Sequence, residues 1–310
     1  MDEALWAALA ARLGDGVPVV LASVVEARGA TPRKAGAQML VDAERCAFSV
    51  GGGAMEQRVI EAARAQLGAG VRSGALDIAL DGQPGSAGVC GGRMRIALRR
   101  WEGPSDLARA RALASTLAAG HPAELSGEER GDPALPARLL QPRPRLLILG
   151  AGHCGQALAE LALHVEFEVW VADARPECLA PDRYRGAICI DATPARLRDA
   201  ADTARDLYIV LLNRDYPTDV AGLAALAGVD CAFLGMMGSR NRIAQVRRAL
   251  PEAGRWLENL VAPVGMAIGD ETPHEIAIGI LAQLIARRSA RRAQGEGDSA
   301  AGGVMPLSSR

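Results

Sequence analysis

The stretch Arg145-Leu146-Leu147-Ile148-Leu149-Gly150-Ala151-Gly152-His153-Cys154-Gly155-Gln156-Ala157-Leu158 constrains the fold more than any other. A short apolar run ends in three glycines at G-x-G-x-x-G spacing, and an Ala/Leu-rich helical pattern starts at once. This is the pattern of a strand turning tightly into a helix. Gly150 permits the turn, Gly152 lets a phosphate approach the backbone, and Gly155 lets the helix pack on the strand. The free N–H groups and positive dipole end of such a helix favour an anion, and His153 sits inside the loop. The next apolar run, Phe167 to Ala172, ends in Asp173. That is about 20 residues on, where a ribose-binding carboxylate is expected. The alternative is a Rossmann-like domain whose nucleotide site is empty or reused.

The rest of the second half repeats the alternation of strand and helix. Ala187–Ile190, Leu207–Leu212 and Asp230–Leu234 read as short buried strands, with a helix over Thr218–Ala227. Alternating strands and helices predict a doubly wound parallel sheet. Gly235 to Arg242 (GMMGSRNR) again joins a strand to a helix, with Ser239 as N-cap. Gly238, Ser239 and Arg240 at a strand's carboxyl end form either a phosphate or carboxylate subsite or an ordinary capped helix. Thr272-Pro273-His274-Glu275 is a capping box that starts a long helix to about Arg288. The tail, residues 291–310, is polar and expected to be disordered.

The first half holds two further glycine clusters. Leu5, Trp6, Leu9 and Leu13 mark a short amphipathic helix, and Val17–Glu26 reads as a buried strand. The turn that follows, Ala27 to Gly36, combines two glycines, a proline and the cations Arg28, Arg33 and Lys34. It is an anion-binding loop or a solvated turn. Gly51-Gly52-Gly53 then lie where a strand ends and a helix begins, with Glu56 in the first helical turn. Three consecutive glycines imply positive φ or very close approach, as for a phosphate or ring on the loop, or else a crowded turn. Cys90-Gly91-Gly92 closes a long glycine-rich loop before the strand Arg93–Arg100. Cys90 is a candidate thiolate for sulfur or metal handling, against the default of a small buried hydrophobe. Residues 1–104 are thus expected to form a smaller N-terminal α/β domain, 105–143 a helix and a Pro/Gly-rich linker, and 144–290 the Rossmann-like domain.

Composition excludes several classes. The formal net charge of −1 gives no reason to expect nucleic acid or an anionic membrane as partner. Only 3% of residues are aromatic, so stacking platforms for single strands are lacking. No apolar run approaches the roughly 18 residues of a membrane helix. The acidic start, Asp2-Glu3, does not read as a signal peptide, so a cytoplasmic location is expected. The six cysteines form no C-x-x-C pair, which argues against a zinc site or a disulfide framework.

Taken together, ATPRKAG, SVGGGAME, Cys90-Gly91-Gly92, LLILGAGHCGQAL, VADARPE, FLGMMGSRNR and APVGMAIGDETPHEIA carry a resemblance over roughly residues 15–288. The chain resembles the xanthine dehydrogenase accessory protein family, XdhC/CoxI. The resemblance implies a two-domain protein that binds the molybdenum cofactor and helps its sulfuration with a cysteine desulfurase. It also implies delivery of the cofactor to a xanthine dehydrogenase-type molybdoenzyme. Many members double the cysteine before the two glycines, whereas here Val89 precedes Cys90. The resemblance places Arg33, Lys34, the glycine loops and Cys90 around the cofactor, with Cys90 as the candidate contact to molybdenum. A soft thiolate suits molybdenum–sulfur chemistry, and basic side chains suit the cofactor's phosphate. No nucleophile paired with a general base is visible, so binding and maturation are favoured over stand-alone catalysis. NAD(H) is the alternative ligand, in an NAD-dependent oxidoreductase or a dinucleotide-sensing regulator resting on Gly150, Gly152, Gly155 and Asp173. A homodimer is left open.

Overall fold

The computed structural model describes residues 2–82 and 91–301. It divides into two compact units, Met1–Pro142 and Arg143–Arg310.

The first unit is built on β1 (Val19–Arg28), which is buried on both faces along most of its length. α1 (Asp2–Gly14) precedes it. β2 (Gln38–Val41), β3 (Cys46–Phe48), α2 (Gly53–Ala69), β4 (Ser73–Ala79), β5 (Arg93–Trp101) and α3 (Gly103–Ala118) follow. The five strands pair antiparallel in the order β3-β2-β1-β5-β4. Side chains alternate between sheet faces, so β1 feeds two cores. Val20, Ala22 and Val24 pack with Met55, Val59 and Ala63 of α2. Val19 and Leu21 pack with Leu5, Trp6 and Leu9 of α1 and with Leu113 and Leu117 of α3. Trp6 meets Trp101 edge to face at 5.2 Å, a favourable aromatic geometry.

The expected linker is instead part of this unit. β6 (Ala123–Leu125) and β7 (Arg138–Leu140) pair antiparallel, and Leu125 and Leu140 are buried in the α1/α3 core. Arg130, between the two strands, is buried and donates to the Pro136 carbonyl at 3.1 Å. The prolines and glycines there punctuate turns, and two leucines supply enough apolar area to dock the hairpin.

The second unit runs β8 (Arg145–Leu149), α4 (His153–His164), β9 (Glu168–Asp173), β10 (Ile188–Asp191), α5 (Pro194–Ala201), β11 (Leu207–Leu211), α6 (Tyr216–Leu226), β12 (Phe233–Met236), α7 (Arg240–Ala249), α8 (Gly254–Leu257), β13 (Leu260–Val261) and α9 (Pro273–Ala301). Its six strands are parallel in the order β10-β9-β8-β11-β12-β13. Two halves therefore wind outward from the β8/β11 pair, which is the Rossmann order and creates a switch point between those strands. One face packs Leu158 and Ala162 of α4 and Ile280 and Leu284 of α9 against Leu146, Ile148 and Val210. The other packs Leu197 of α5, Leu223 of α6 and Val246 of α7 against Leu147, Leu149 and Ile209. α9 continues to Ala301, past the end expected at about residue 288 and into the stretch expected to be disordered. Good helix formers such as Ala, Arg, Gln and Glu, with no proline, carry the pattern onward. Among the described residues, no helix is long and apolar enough to cross a membrane.

Candidate functional site

In the first unit, strand register brings the sequence-predicted loops together. β1 ends at Arg28 opposite Arg93, where β5 begins, and β4 ends at Ala79 opposite that same Arg93. β3 ends at Phe48 opposite Met39, near the start of β2. The β1–β2 loop with Arg33 and Lys34, the β3–α2 turn with Gly51 to Gly53, and Gly91-Gly92 therefore share one end of the sheet. They also touch. A Cβ on Gly92 would lie 2.3 Å from the Ala30 carbonyl oxygen and 2.7 Å from that of Arg28. A Cβ on Gly51 would lie 2.7 Å from Cγ of Pro32. At Gly92 glycine is required because two backbone carbonyls press on it, and at Gly51 because its φ of 145° is a left-handed conformation and the Pro32 ring and Met55 side chain fill the space a Cβ would take. Lys34 is exposed and Arg33 half-buried. Cys90 lies outside the described residues.

The triple-glycine turn already holds an anion. Oε2 of Glu56 accepts the Ser49 hydroxyl and the N–H groups of Val50 and Gly52, each N–H at 3.1 Å. Partial burial opposes ionisation of Glu56, but these donors outweigh it and hold the carboxyl below its usual range. The amides expected to face a ligand phosphate are thus committed to Glu56. What the turn leaves open is its outer face. Gly52 and Gly53 have φ of 78° and 65°, and no atom lies within 4 Å of a Cβ placed on either. That surface suits a flat ring better than a phosphate.

In the second unit, the three glycines of the first motif have distinct jobs. Gly150, at φ 117°, would put a Cβ 2.8 Å from the carbonyl of Leu212, so the turn presses on the end of β11 at the switch point. Gly155 would put one 2.0 Å from the Gly150 oxygen, which fixes α4 against the turn. Gly152 meets nothing within 4 Å and leaves the N-terminus of α4 open to an approaching group. His153 is exposed on the first turn of α4. Burial pushes the neighbouring Cys154 thiol pKa up, away from a reactive thiolate.

Asp173 is placed where the motif predicts, but its carboxylate is taken. Oδ2 accepts the Ala151 N–H at 2.8 Å and Nη2 of Arg175 at 2.8 Å. Oδ1 accepts the Arg175 backbone N–H and its Nε, both at 2.9 Å. Burial opposes the charge, yet the Arg175 fork and these N–H groups hold Asp173 below the ordinary aspartate range. A ribose diol would have to displace Arg175. Tyr184 closes the same turn, its hydroxyl donating to the Ala151 carbonyl at 2.9 Å, and burial lifts its pKa to about 12.

Gly238, Ser239 and Arg240 open α7. Ser239 Oγ accepts the Arg242 N–H at 3.3 Å, an ordinary N-cap. Sequence reading passed over Arg242 itself. Its Nε donates to Oδ2 of the fully buried Asp219 at 2.7 Å. Its other nitrogens reach the carbonyls of Asn213, Arg214 and Asp215 at 2.9, 3.0 and 2.8 Å. Asn213 Nδ2 completes the set on Asp219 Oδ1 at 3.1 Å. One guanidinium therefore fixes the loop after β11, at the switch point. The only signal for it was the recurrence of Asn and Arg just past two strand ends, Asn213-Arg214 and Asn241-Arg242.

Two family models match the chain, the XdhC Rossmann domain over residues 146–284 and the XdhC and CoxI family over residues 13–77. The chain belongs to the XdhC and CoxI family. It is 29% identical over 284 residues to the uncharacterized protein YqeB of Escherichia coli (strain K12), covering 86% of this chain and 43% of that one. It is also 29% identical over 150 residues to a probable xanthine dehydrogenase subunit of Bacillus subtilis (strain 168), covering 48% of this chain and 44% of that one. The chain thus spans less than half the length of either relative. A crystal structure of a xanthine dehydrogenase from Bacillus halodurans superposes with a TM-score of 0.79 at 23% identity, over 94% of this chain and 96% of that chain, which establishes the shared fold. Arg33, Lys34, Gly51 to Gly53 and Glu56 fall within the match to the XdhC and CoxI family, and Gly150 to Arg240 within the match to the Rossmann domain. Gly91-Gly92 lies between the two, joined to the first group by packing rather than by sequence.

Proposed function

We propose that this protein is an accessory protein of a xanthine dehydrogenase-type molybdoenzyme, and that it binds the molybdenum cofactor and supports its sulfuration and insertion. Family membership and the likeness to a probable xanthine dehydrogenase component favour the accessory role. The observation that carries the binding role is the convergence of the three glycine loops at one end of the antiparallel sheet. The donor set fits a flat anionic ligand. Gly52 and Gly53 offer an open peptide face for a ring, and Arg33 and Lys34 share the loop end as counter-charges for a phosphate. When bound, the cofactor supplies molybdenum–sulfur redox chemistry to the enzyme that receives it. This chain's residues would hold its ring and phosphate. Cys90, next to Gly91, is the side chain proposed for sulfur handling with a cysteine desulfurase.

Anaerobic titration of the purified protein with molybdenum cofactor tests this, with bound pterin recovered as its fluorescent oxidation product. Near-stoichiometric retention is expected, weakened about tenfold or more in the Arg33→Ala/Lys34→Ala variant through loss of two charged contacts. No retention, together with a thermal shift on adding NAD(H), would transfer the function to a dinucleotide enzyme or sensor. The committed carboxylate of Asp173 argues against that second outcome.

A further inference from the structure

We infer that the first unit binds a small oxyanion of the inorganic phosphate type at two arginines of the β6/β7 hairpin, Arg130 and Arg138. Arg130 ends the short helical turn Glu128–Arg130 and is only 7% exposed. A guanidinium taken out of water is ordinarily held by a carboxylate, because a buried charge without a partner is costly. Among the described residues no carboxylate pairs with Arg130. Its Nη1 donates to a neutral group, the Pro136 carbonyl, at 3.1 Å, and its buried Nε meets no acceptor. The charge that acts on it is of its own sign: burial and the Arg138 guanidinium both push its pKa down.

Arg138, on β7, shares the deficit. Its Nη2 donates to Oδ1 of Asp2 at 2.9 Å, but its buried Nη1 meets no acceptor. Oδ2 of Asp2 is already taken by the Gln141 N–H at 3.0 Å. Two guanidinium charges therefore share one carboxylate, and each keeps a buried N–H without an acceptor. A third orphan lies under the hairpin. Gln38 of β2 is 1% exposed; its Nε2 bonds Ser23 Oγ at 3.0 Å, and its Oε1 has no partner. A hydroxyl both donates and accepts, so the amide turned over would bond Ser23 equally well and offer its NH2 as a further donor. The hairpin crosses this row of the sheet. A Cβ on Gly131 would lie 2.6 Å from the Leu98 carbonyl oxygen, and Leu98 adjoins Ala97, which pairs with Ser23. Excess positive charge, buried donors without acceptors and little water are what an oxyanion corrects, and a guanidinium fork matches phosphate oxygens in pairs. Cζ of Arg138 also lies 3.9 Å from a Cβ placed on Gly36, so the bound anion would tie the hairpin to the root of the β1–β2 loop.

Equilibrium dialysis of the full chain against radiolabelled inorganic phosphate, at constant ionic strength in chloride, tests the inference. Saturable binding is expected. Arg130→Met should lower the affinity about tenfold or more, and Arg130→Lys, which keeps the charge but not the fork, should lower it by less. Thermal melts give a second reading. The melting temperature of the parent should rise with phosphate and level off as the site fills, while that of Arg130→Met should not follow. In chloride alone Arg130→Met should melt no lower than the parent, because the variant has lost a buried charge that had no partner. Phosphate binding of equal strength in the parent, Arg130→Met and Arg130→Lys overturns the inference and assigns the anion to another part of the chain. Absence of saturable binding, with parent and variants stabilised alike by phosphate, overturns it too and marks a general salt effect.

Discussion

At the scale of single residues, the glycines of the second unit separate packing from access. Gly155 has a neighbouring carbonyl oxygen 2.0 Å from where a Cβ would sit, while Gly152 has open space. Gly155→Ala should therefore destabilise the unit by about 1–3 kcal/mol, the usual range for overpacking. Gly152→Ala should leave stability nearly unchanged and act only on what approaches α4. Urea unfolding of both variants checks the contrast, and equal losses would show that the turn relaxes. Asp173 makes a second test. Its folded pKa is depressed, so its contribution is present above the ordinary aspartate range and is lost as pH falls through the lowered folded value. Asp173→Asn should lower the melting temperature near neutrality and make the acid limb shallower. A variant that melts in parallel with the parent at every pH would mean that the Arg175 fork contributes no net stability.

At the scale of elements, the Arg242 network decides how firmly the loop after β11 is held. Asp219 is fully buried, and burial pushes its pKa up even though Arg242 and Asn213 donate to it. Removing Arg242 would strand that carboxylate and release three backbone carbonyls. Arg242→Met should cost about 3 kcal/mol or more, and adding Asp219→Asn should return much of it, because a buried charge without a partner is worse than none. Circular dichroism melts of the single and double variants read this directly. No such network was legible in the sequence: Asp219 and Arg242 are 23 positions apart and meet only once β11 and β12 pair. The parallel sheet was legible, because strands buried on both faces read as unbroken apolar runs such as LLIL and LYIVLL, closed by turn residues, glycine after the first and Asn-Arg-Asp after the second. The β6/β7 hairpin was not, since its proline, glycine and charge content is that of a linker, and two docked leucines decide the matter. The three glycine loops of the first unit were each visible as loops. Their meeting was set by antiparallel register, and the occupation of one of them by Glu56 by hydrogen bonds no spacing rule anticipates.

At the scale of the whole molecule, each unit carries its own cores. The first has one on either face of its antiparallel sheet, the second one on either face of its parallel sheet. Both lie within the size range in which a single chain segment folds alone. The cut falls between Pro142 and Arg143 rather than near residue 104, because the hairpin after α3 buries Leu125 and Leu140 in the first unit. Fragments 1–142 and 143–310 should each unfold cooperatively in urea. A fragment ending at residue 118 should lose the hairpin's cover over the α1/α3 core and unfold at distinctly lower denaturant. Burial of two leucines predicts a loss of about 3–5 kcal/mol, enough to separate the two midpoints clearly. If the fragment ending at 118 matched the one ending at 142, the hairpin would be an appendage, and the first unit would end where composition alone suggested. If 1–142 bound the molybdenum cofactor by itself, the glycine-loop end of its sheet would suffice for binding. The Rossmann unit would then be free for a separate part in handing the cofactor on.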